Sequence, residues 1–540
     1  MRRRDWICAA VLTGVAAVPA GTQTNGAAIP HLERRGQATQ LIVDGKPFLA
    51  LAGELYNNSA TDLEYMSRIW PRLAAMHLNT VLAAVSWAQI EPAEGKYDFT
   101  VLDGIIRDAR THNLRLVLLW FGSWKNTWSS YAPDWVKRDF ERFPRVQLRN
   151  GSGTERLSPL SQANCDADAR AFAALMRRIR EVDSGAHTVV MIQVENEVGV
   201  IPDPRDYSAP ANAAYRQQAP AELMEYLQKH KDTLYPELRA RWQAAGFKGT
   251  GDWEAIFGPG PETEDLFMAW QYARYIGKVA AAGKTEYALP MFANAALIRP
   301  SYAPGQYNSG GPLSHSIDLW RAAGPQLDFL APDIYFEFKK WCAEYGRPAN
   351  PLFIPEAAGG EAGAANVFFA VGQHQALGFS PFGIDGVDGG SGGPDALARS
   401  YDTLSQLAPL ILEQQTKGRV AGVLLEELTP SQRLRLGEYT LNISRRTLPS
   451  GVASAPHGIF IATGPDEYYM AGSGLTVTFS PETSGPPIVG LAKVEEGRFA
   501  DGHWIRGRLL AGDDTGQGNN ISLDAARNPG ILRVTLYRYR

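Results

Sequence analysis

Eight short apolar runs, separated by stretches of helical periodicity, constrain this chain more than any other feature. In order they are FLALAGE (48–54), TVLAAVSW (80–87), RLVLLWF (115–121), TVVMIQVE (188–195), LPMFANA (289–295), FLAPDIY (329–335), LFIPEA (352–357) and GFSPFGI (378–384). Runs that stay apolar on successive residues suit strands buried on both faces. Amphipathic stretches such as MSRIWPRLAAMHL and LDGIIRDARTHNL lie between them. Strand and helix in alternation predict a parallel sheet covered by helices. Eight such units predict an α/β fold of the closed (β/α)8 type, the TIM barrel, rather than an open doubly wound sheet. No Gly-rich dinucleotide fingerprint or P-loop follows any run, which weakens a nucleotide-binding reading.

The barrel is expected over residues 30–405, entered through a hairpin in LIVDGKPFLAL with Asp44-Gly45 at its turn. An insertion at about 200–264 follows the fourth run. It carries one expected helix, AELMEYLQKHKDTLYPELRARWQAAG, and would overhang the barrel's C-terminal face. Over 410–540 the strand-like runs are separated by Gly, Pro, Asn and Asp, which predicts a β-sandwich of roughly 7–9 strands. Residues 1–20 have a basic start, an apolar stretch and a small-residue Val18-Pro19-Ala20 end. That is the layout of a signal peptide, so the chain is expected to be exported, either periplasmic or secreted. Cys8 would leave with it; Cys165 and Cys342 make no disulfide framework, and whether they pair stays open. A net charge of −4 over 540 residues, with no basic block, points away from nucleic acid. No other apolar stretch has the length of a membrane span.

Chemistry in such a barrel belongs at the C-terminal strand ends. Those ends supply Glu54, Trp87, Trp124-Lys125, Glu195-Asn196-Glu197, Asn294, Asp333 with Tyr335, Glu356 and Asp385. Carboxylates, amides and flat rings gathered in this way describe a carbohydrate site. Acetal cleavage uses two carboxyl groups, one to protonate the leaving oxygen and one to attack the anomeric carbon or activate water. Glu356, in FIPEAAGG, has no local cationic partner and reads as the nucleophile. Strand periodicity puts Glu195 and Glu197 on one face and cannot choose between them. Glu195 sits one layer deeper and reads as structural; Glu197 lies at the rim beside Gly199. No cofactor and no metal is expected: the nine His show no ligand spacing, and Asp385 with Asp388 carries only a weak suggestion of calcium.

QVENEVG, followed by a distant PEA at a strand end, resembles the retaining glycosidase clan built on the eight-fold barrel. More closely, GELYNNS, NTVLAAVSWAQIEPAEGKYDFT and VENEVG resemble the β-galactosidases of glycoside hydrolase family 35, over roughly residues 40–390. The resemblance implies Glu197 as proton donor, Asn196 as a sugar ligand and Glu356 as nucleophile. Asn196 can face a sugar only if its strand leaves regular pleating, so a bulge is expected there. Family members carry Ala-Glu-Trp at the end of strand three. This chain has Gly122-Ser123-Trp124, so Lys125 or Ser123 must stand in, and Ala84 replaces a tyrosine. Tyr335 is expected to bond Glu356, Trp87 or Trp124 to wall the pocket, and the charge of Glu356 to raise the pKa of Glu197. The implied activity is that of a retaining exo-β-galactosidase. The alternatives are a clan relative acting on arabinosides, glucans or mannans, or a non-catalytic carbohydrate-binding protein.

Overall fold

The computed structural model describes residues 28–386, 393–446, 455–524 and 530–540. The expected leader at 1–20 and Asp388 lie outside the described residues. All eight expected runs form strands: β1 Ala50–Glu54, β2 Thr80–Ser86, β3 Arg115–Lys125, β4 Val189–Asn196, β5 Met291–Ala296, β6 Phe329–Asp333, β7 Ile354–Ala357 and β8 Gly378–Pro381. They pair in parallel in the order β6-β5-β4-β3-β2-β1-β8-β7. Ile334 closes the ring: its N–H donates to the Glu356 carbonyl at 2.8 Å, and it bridges to Ala357. Each strand is followed by a helix: α1 Leu63–Ala75, α2 Thr100–Thr111, α3 Gln162–Asp183, α4 Pro261–Glu286, α5 Ile317–Ala323, α6 Phe338–Tyr345, α7 Gly360–His374 and α8 Gly393–Gln415.

The runs are apolar on both faces because both faces are buried. Outward residues such as Trp120, Ile192 and Val194 join the helix layer. Inward residues fill the barrel, where the rings of Phe292 and Phe329 stack 5.0 Å apart and Phe353 meets Phe292 edge-on at 5.4 Å. Below them the expected hairpin pairs Ala38–Val43 with Lys46–Phe48. Its two turn residues, Asp44 and Gly45, have φ of 52° and 73°, as the tight primed turn requires. Leu41 and Val43 pack into the barrel core, while Asp44 takes Arg115 at 2.7 Å and His187 at 2.8 Å. The hairpin therefore plugs the N-terminal end, and the C-terminal end is left for the site.

The insertion departs from expectation in two ways. Its single expected helix is two, Ala221–Lys229 and Pro236–Ala244, because Tyr235 before a proline is held out of the helical region and Pro236 starts a new helix. It is also anchored on the barrel's flank: Asp318 of α5 accepts from the Tyr235 N–H at 2.7 Å, and the Tyr235 hydroxyl donates to the Glu344 carbonyl on α6. Cys165 and Cys342 are free and buried. No helix among the described residues is long and apolar enough to cross a membrane.

The barrel's last helix runs to Gln415, past the expected boundary at 405, and the second domain starts at the strand Val420–Leu424. Among the described residues it has a six-stranded and a four-stranded sheet, more strands than expected, around its own core with Tyr439, Phe460, Met470 and Val534. The two domains touch backbone to backbone. A Cβ on Gly372 of α7 would lie 2.7 Å from the Gly422 Cα, and one on Gly422 would lie 2.6 Å from the Phe368 carbonyl oxygen. Gly422→Val should therefore cost about 1–3 kcal/mol through overpacking. Calorimetry should show a lower Tm, while Gly464→Val, whose Cβ would meet only Glu467 at 3.6 Å, should leave it in place.

Candidate active site

Glu195 is the anchor of the β3–β4 end. Its carboxyl group accepts from the backbone N–H groups of Ser123 at 3.0 Å and Trp124 at 2.7 Å. Burial, and then the adjacent Asp168 on α3, push its pKa well above the ordinary range. Asp168 accepts from Trp120 Nε1 at 2.8 Å, Ser123 Oγ at 2.6 Å and the Tyr275 hydroxyl at 3.4 Å. Gly122 is small for a reason: a Cβ there would strike Trp120 Nε1 at 2.3 Å and Glu195 Oε1 at 2.5 Å. Glu195 is thus fastened to the layer outside the barrel.

That grip forces the chain out of regular pleating. Glu195 and Glu197 both have positive φ, 63° and 45°, and the β3–β4 register jumps between Trp120 and Lys125. The two glutamates consequently part company, although alternation alone would leave them on one face. Asn126 and Thr127, themselves at positive φ, donate to the carbonyls of Asn196 and Glu197. Asn196 is 1% exposed, and neither its amide oxygen nor its nitrogen has a partner among the described residues.

Glu197, Asp333 and Glu356 meet across the barrel mouth, each offering a carboxylate oxygen within 4.8 Å of the others. Such a trio could clasp a cation, but the neighbour present is Lys125, whose Nζ lies 4.0 Å from Glu197 Oε2. Asn294 organises the group: its Oδ1 accepts from the Glu197 N–H at 3.0 Å and its Nδ2 donates to Asp333 Oδ2 at 2.6 Å. The Tyr335 hydroxyl donates to Glu356 Oε1 at 2.6 Å, and Glu356 Oε2 has no partner among the described residues. Burial first, and then the charge of Glu356, raise the Glu197 pKa to about 7, with Lys125 opposing. The expected cause is present but ranks second. Burial likewise holds Glu54 and Asp333 well above the carboxylate range, with Glu356 adding to both.

Glu54, Lys125, Asn196, Glu197, Asn294, Tyr335 and Glu356 therefore lie where the strand ends placed them. The tryptophans do not. Trp87 is fully buried, donating from Nε1 to Glu91 and meeting Trp135 edge-on. Trp124 is equally buried, donating to the Leu157 carbonyl and packed on Tyr272 and Tyr275. Both rings face the helix layer, so neither walls a pocket. Ser123 also turns outward, which leaves Lys125 as the stand-in at the end of strand three. Asp385 fixes the loop after β1 by accepting from the Tyr56 N–H at 2.9 Å and the Ser59 hydroxyl. The open rings at this end are Tyr56, Trp128 and Tyr335, each close to half exposed. Trp128 went unread in the sequence; its signal was the Asn126-Thr127 turn just before it, which lets the chain double back.

Residues 55–282 match the family model described as Beta-galactosidase (Glyco_hydro_42), and 397–522 match a Domain of unknown function (DUF5597). A Beta-galactosidase of Xanthomonas manihotis is 27% identical over 183 residues, 33% of this chain and 28% of that protein. Among solved structures, the beta-galactosidase of Bacillus circulans sp. alkalophilus aligns at a TM-score of 0.46 and 16% identity, covering 68% of this chain and 57% of that one. The catalytic domain of beta-amylase from Paenibacillus polymyxa aligns at 0.46 and 13%, covering 65% and 97%. This chain thus spans 28% of the length of the curated relative and just over half of the Bacillus structure. The barrel segment is similar to that of glycoside hydrolases, through a family other than the one its strand-end motifs resemble. The matched range takes in Glu197 and stops short of Glu356.

A carboxyl group whose pKa is raised on folding binds its proton more tightly in the native state. Stability is therefore lost as pH rises from the unfolded value near 4.5 through the folded value near 7. Glu197→Gln should match the wild type at pH 4 and exceed it at pH 8, by on the order of 3 kcal/mol. Denaturant titrations at the two pH values measure the gap. A gap that does not widen with pH would contradict the assignment.

Proposed function

We propose that this chain is a retaining exo-β-galactosidase that removes terminal β-D-galactosyl residues from oligo- or polysaccharides by double displacement. One observation carries the reading: Glu197, past the end of β4, and Glu356, on β7, bring carboxylate oxygens within 4.8 Å of each other at the barrel mouth. That separation favours retention, for which carboxyl groups stand about 5–5.5 Å apart, over inversion at about 6.5–9.5 Å. The match of residues 55–282 to a Beta-galactosidase family supports the substrate class, and the deep burial of Glu54 and Glu356 suits a dead-end pocket that takes a chain terminus.

Glu356 Oε2 attacks the anomeric carbon while Tyr335 holds Oε1. Glu197, with a pKa near 7, gives its proton to the leaving oxygen. Esterification removes the negative charge of Glu356. The Glu197 pKa then falls, and the same group becomes the base that activates water. Lys125 and the free amide of Asn196 supply donors and an acceptor for sugar hydroxyls. The strand-end motifs lead us to include family 35 chemistry in this reading, which uses the same two carboxyl groups. The leader-like N-terminus leads us to propose that the enzyme works outside the cytoplasm.

The missing strand-three glutamate favours one second reading, a retaining glycosidase of the same clan with another sugar preference. A panel of nitrophenyl glycosides separates the two, with the β-galactoside expected to lead.

Glu356→Gln should lower nitrophenyl galactoside turnover by roughly 10³-fold or more with Tm preserved. Near-normal turnover would remove Glu356 from the mechanism. Glu197→Ala should spare glycosylation from good leaving groups and recover turnover with azide. The alkaline limb of wild-type kcat/KM should fall near pH 7.

A further inference from the structure

A second cavity, of about 800 Å³, opens on the barrel's flank between the insertion, the start of α4 and the loop after β5. None of Glu54, Glu197, Asp333 or Glu356 lines it. Its volume lies in the range of roughly 300–1,000 Å³ typical of small-molecule sites. Its floor is apolar, with Leu238, Phe257 and Leu266, and the ring of Tyr302 stands at its edge, 46% exposed.

The polar part is built rather than incidental. Asp265, 1% exposed, accepts from the Tyr307 hydroxyl at 2.6 Å and from His315 Nε2 at 2.8 Å, with the Gly310 N–H as a third donor. His315 Nδ1 makes no hydrogen bond among the described residues. At the rim, Arg241 faces Glu262 at 3.4 Å, and Glu237 adds another carboxylate. Three carboxylates, Glu237, Glu262 and Asp265, thus stand against Arg241 and His315. The cavity has no cationic excess to hold a phosphate and no purely apolar wall to suit a lipid. A flat exposed ring over an apolar floor, ringed by both donors and acceptors, matches a polyhydroxylated ring with one apolar face. The lining loop also reaches the backbone of Glu197. Tyr307 turns to Asp265, while the next residue, Asn308, donates to the Glu197 carbonyl at 2.8 Å.

We propose that this flank cavity is a second carbohydrate-binding site, taking a short neutral oligosaccharide against Tyr302 and between Arg241, Glu237 and His315. The site is separate from the catalytic pocket and does not depend on the assignment of the catalytic carboxylates.

Calorimetric titration of the full chain carrying Glu356→Gln with lactose, β-1,4-galactotetraose and cellotetraose tests it. At least one probe should bind at two sites. Ala240→Trp, at an exposed position on the cavity wall, and Tyr302→Ala should each weaken one of the two by at least tenfold and leave the other unchanged. In the otherwise unaltered chain, Ala240→Trp should leave nitrophenyl galactoside turnover at the wild-type rate. That result separates failure here from failure of the proposed hydrolysis. One binding site or none, unmoved by Ala240→Trp, overturns the proposal for all three probes. So does binding of inorganic phosphate that Ala240→Trp removes.

Discussion

A carboxyl group outside the proposed chemistry fixes the shape of the barrel mouth. Glu195 grips two successive backbone N–H groups of β3 and leans on Asp168 behind the sheet. Without that clamp, β4 would continue its alternation and present Glu195 and Glu197 together. With it, the chain enters the left-handed region at both glutamates, and Asn196 and Glu197 are released to the mouth. Left-handed backbone costs about 1–3 kcal/mol per non-glycine residue, and the surrounding hydrogen bonds from Asn126, Thr127, Asn294 and Asn308 hold it there.

The same neighbourhood gathers more acid than one lysine can neutralise. Glu54, Glu197, Asp333 and Glu356 cannot all ionise so close together out of water, so burial and mutual repulsion keep protons on some of them. Lys125 is the cation at the end of β3, and its positive charge restrains that rise at Glu197 and Glu54. In the proposed mechanism this puts one group near neutrality for proton transfer beside another able to attack.

The barrel was legible because burial on both faces leaves an apolar stamp that no turn or loop can imitate, and all eight runs carry it. The carboxylates were legible because strand ends are where such a fold exposes polar groups. The tryptophans were not. Trp124 sits one residue from a polar position, and the bulged β3–β4 register decides which side of the sheet its ring takes, while Trp87 opens a short helix, Trp87–Ile90, that carries its ring away from the mouth. The split helix of the insertion was written in the chain as Tyr235-Pro236, a stop signal outweighed by the apolar pattern around it.

Between β6 and β7 the ring is joined, among the described residues, through a single bridge at Ile334. The Glu356 carbonyl is one half of its hydrogen bond, and Tyr335 follows directly on Ile334. The weakest seam of the cylinder therefore runs through Glu356, the proposed nucleophile. Any local parting of these two strands carries the tyrosine away from the glutamate while the other seven pairings still hold. Under mild denaturation the Tyr335–Glu356 contact then parts ahead of melting, and the candidate site is the first part of the architecture to be lost.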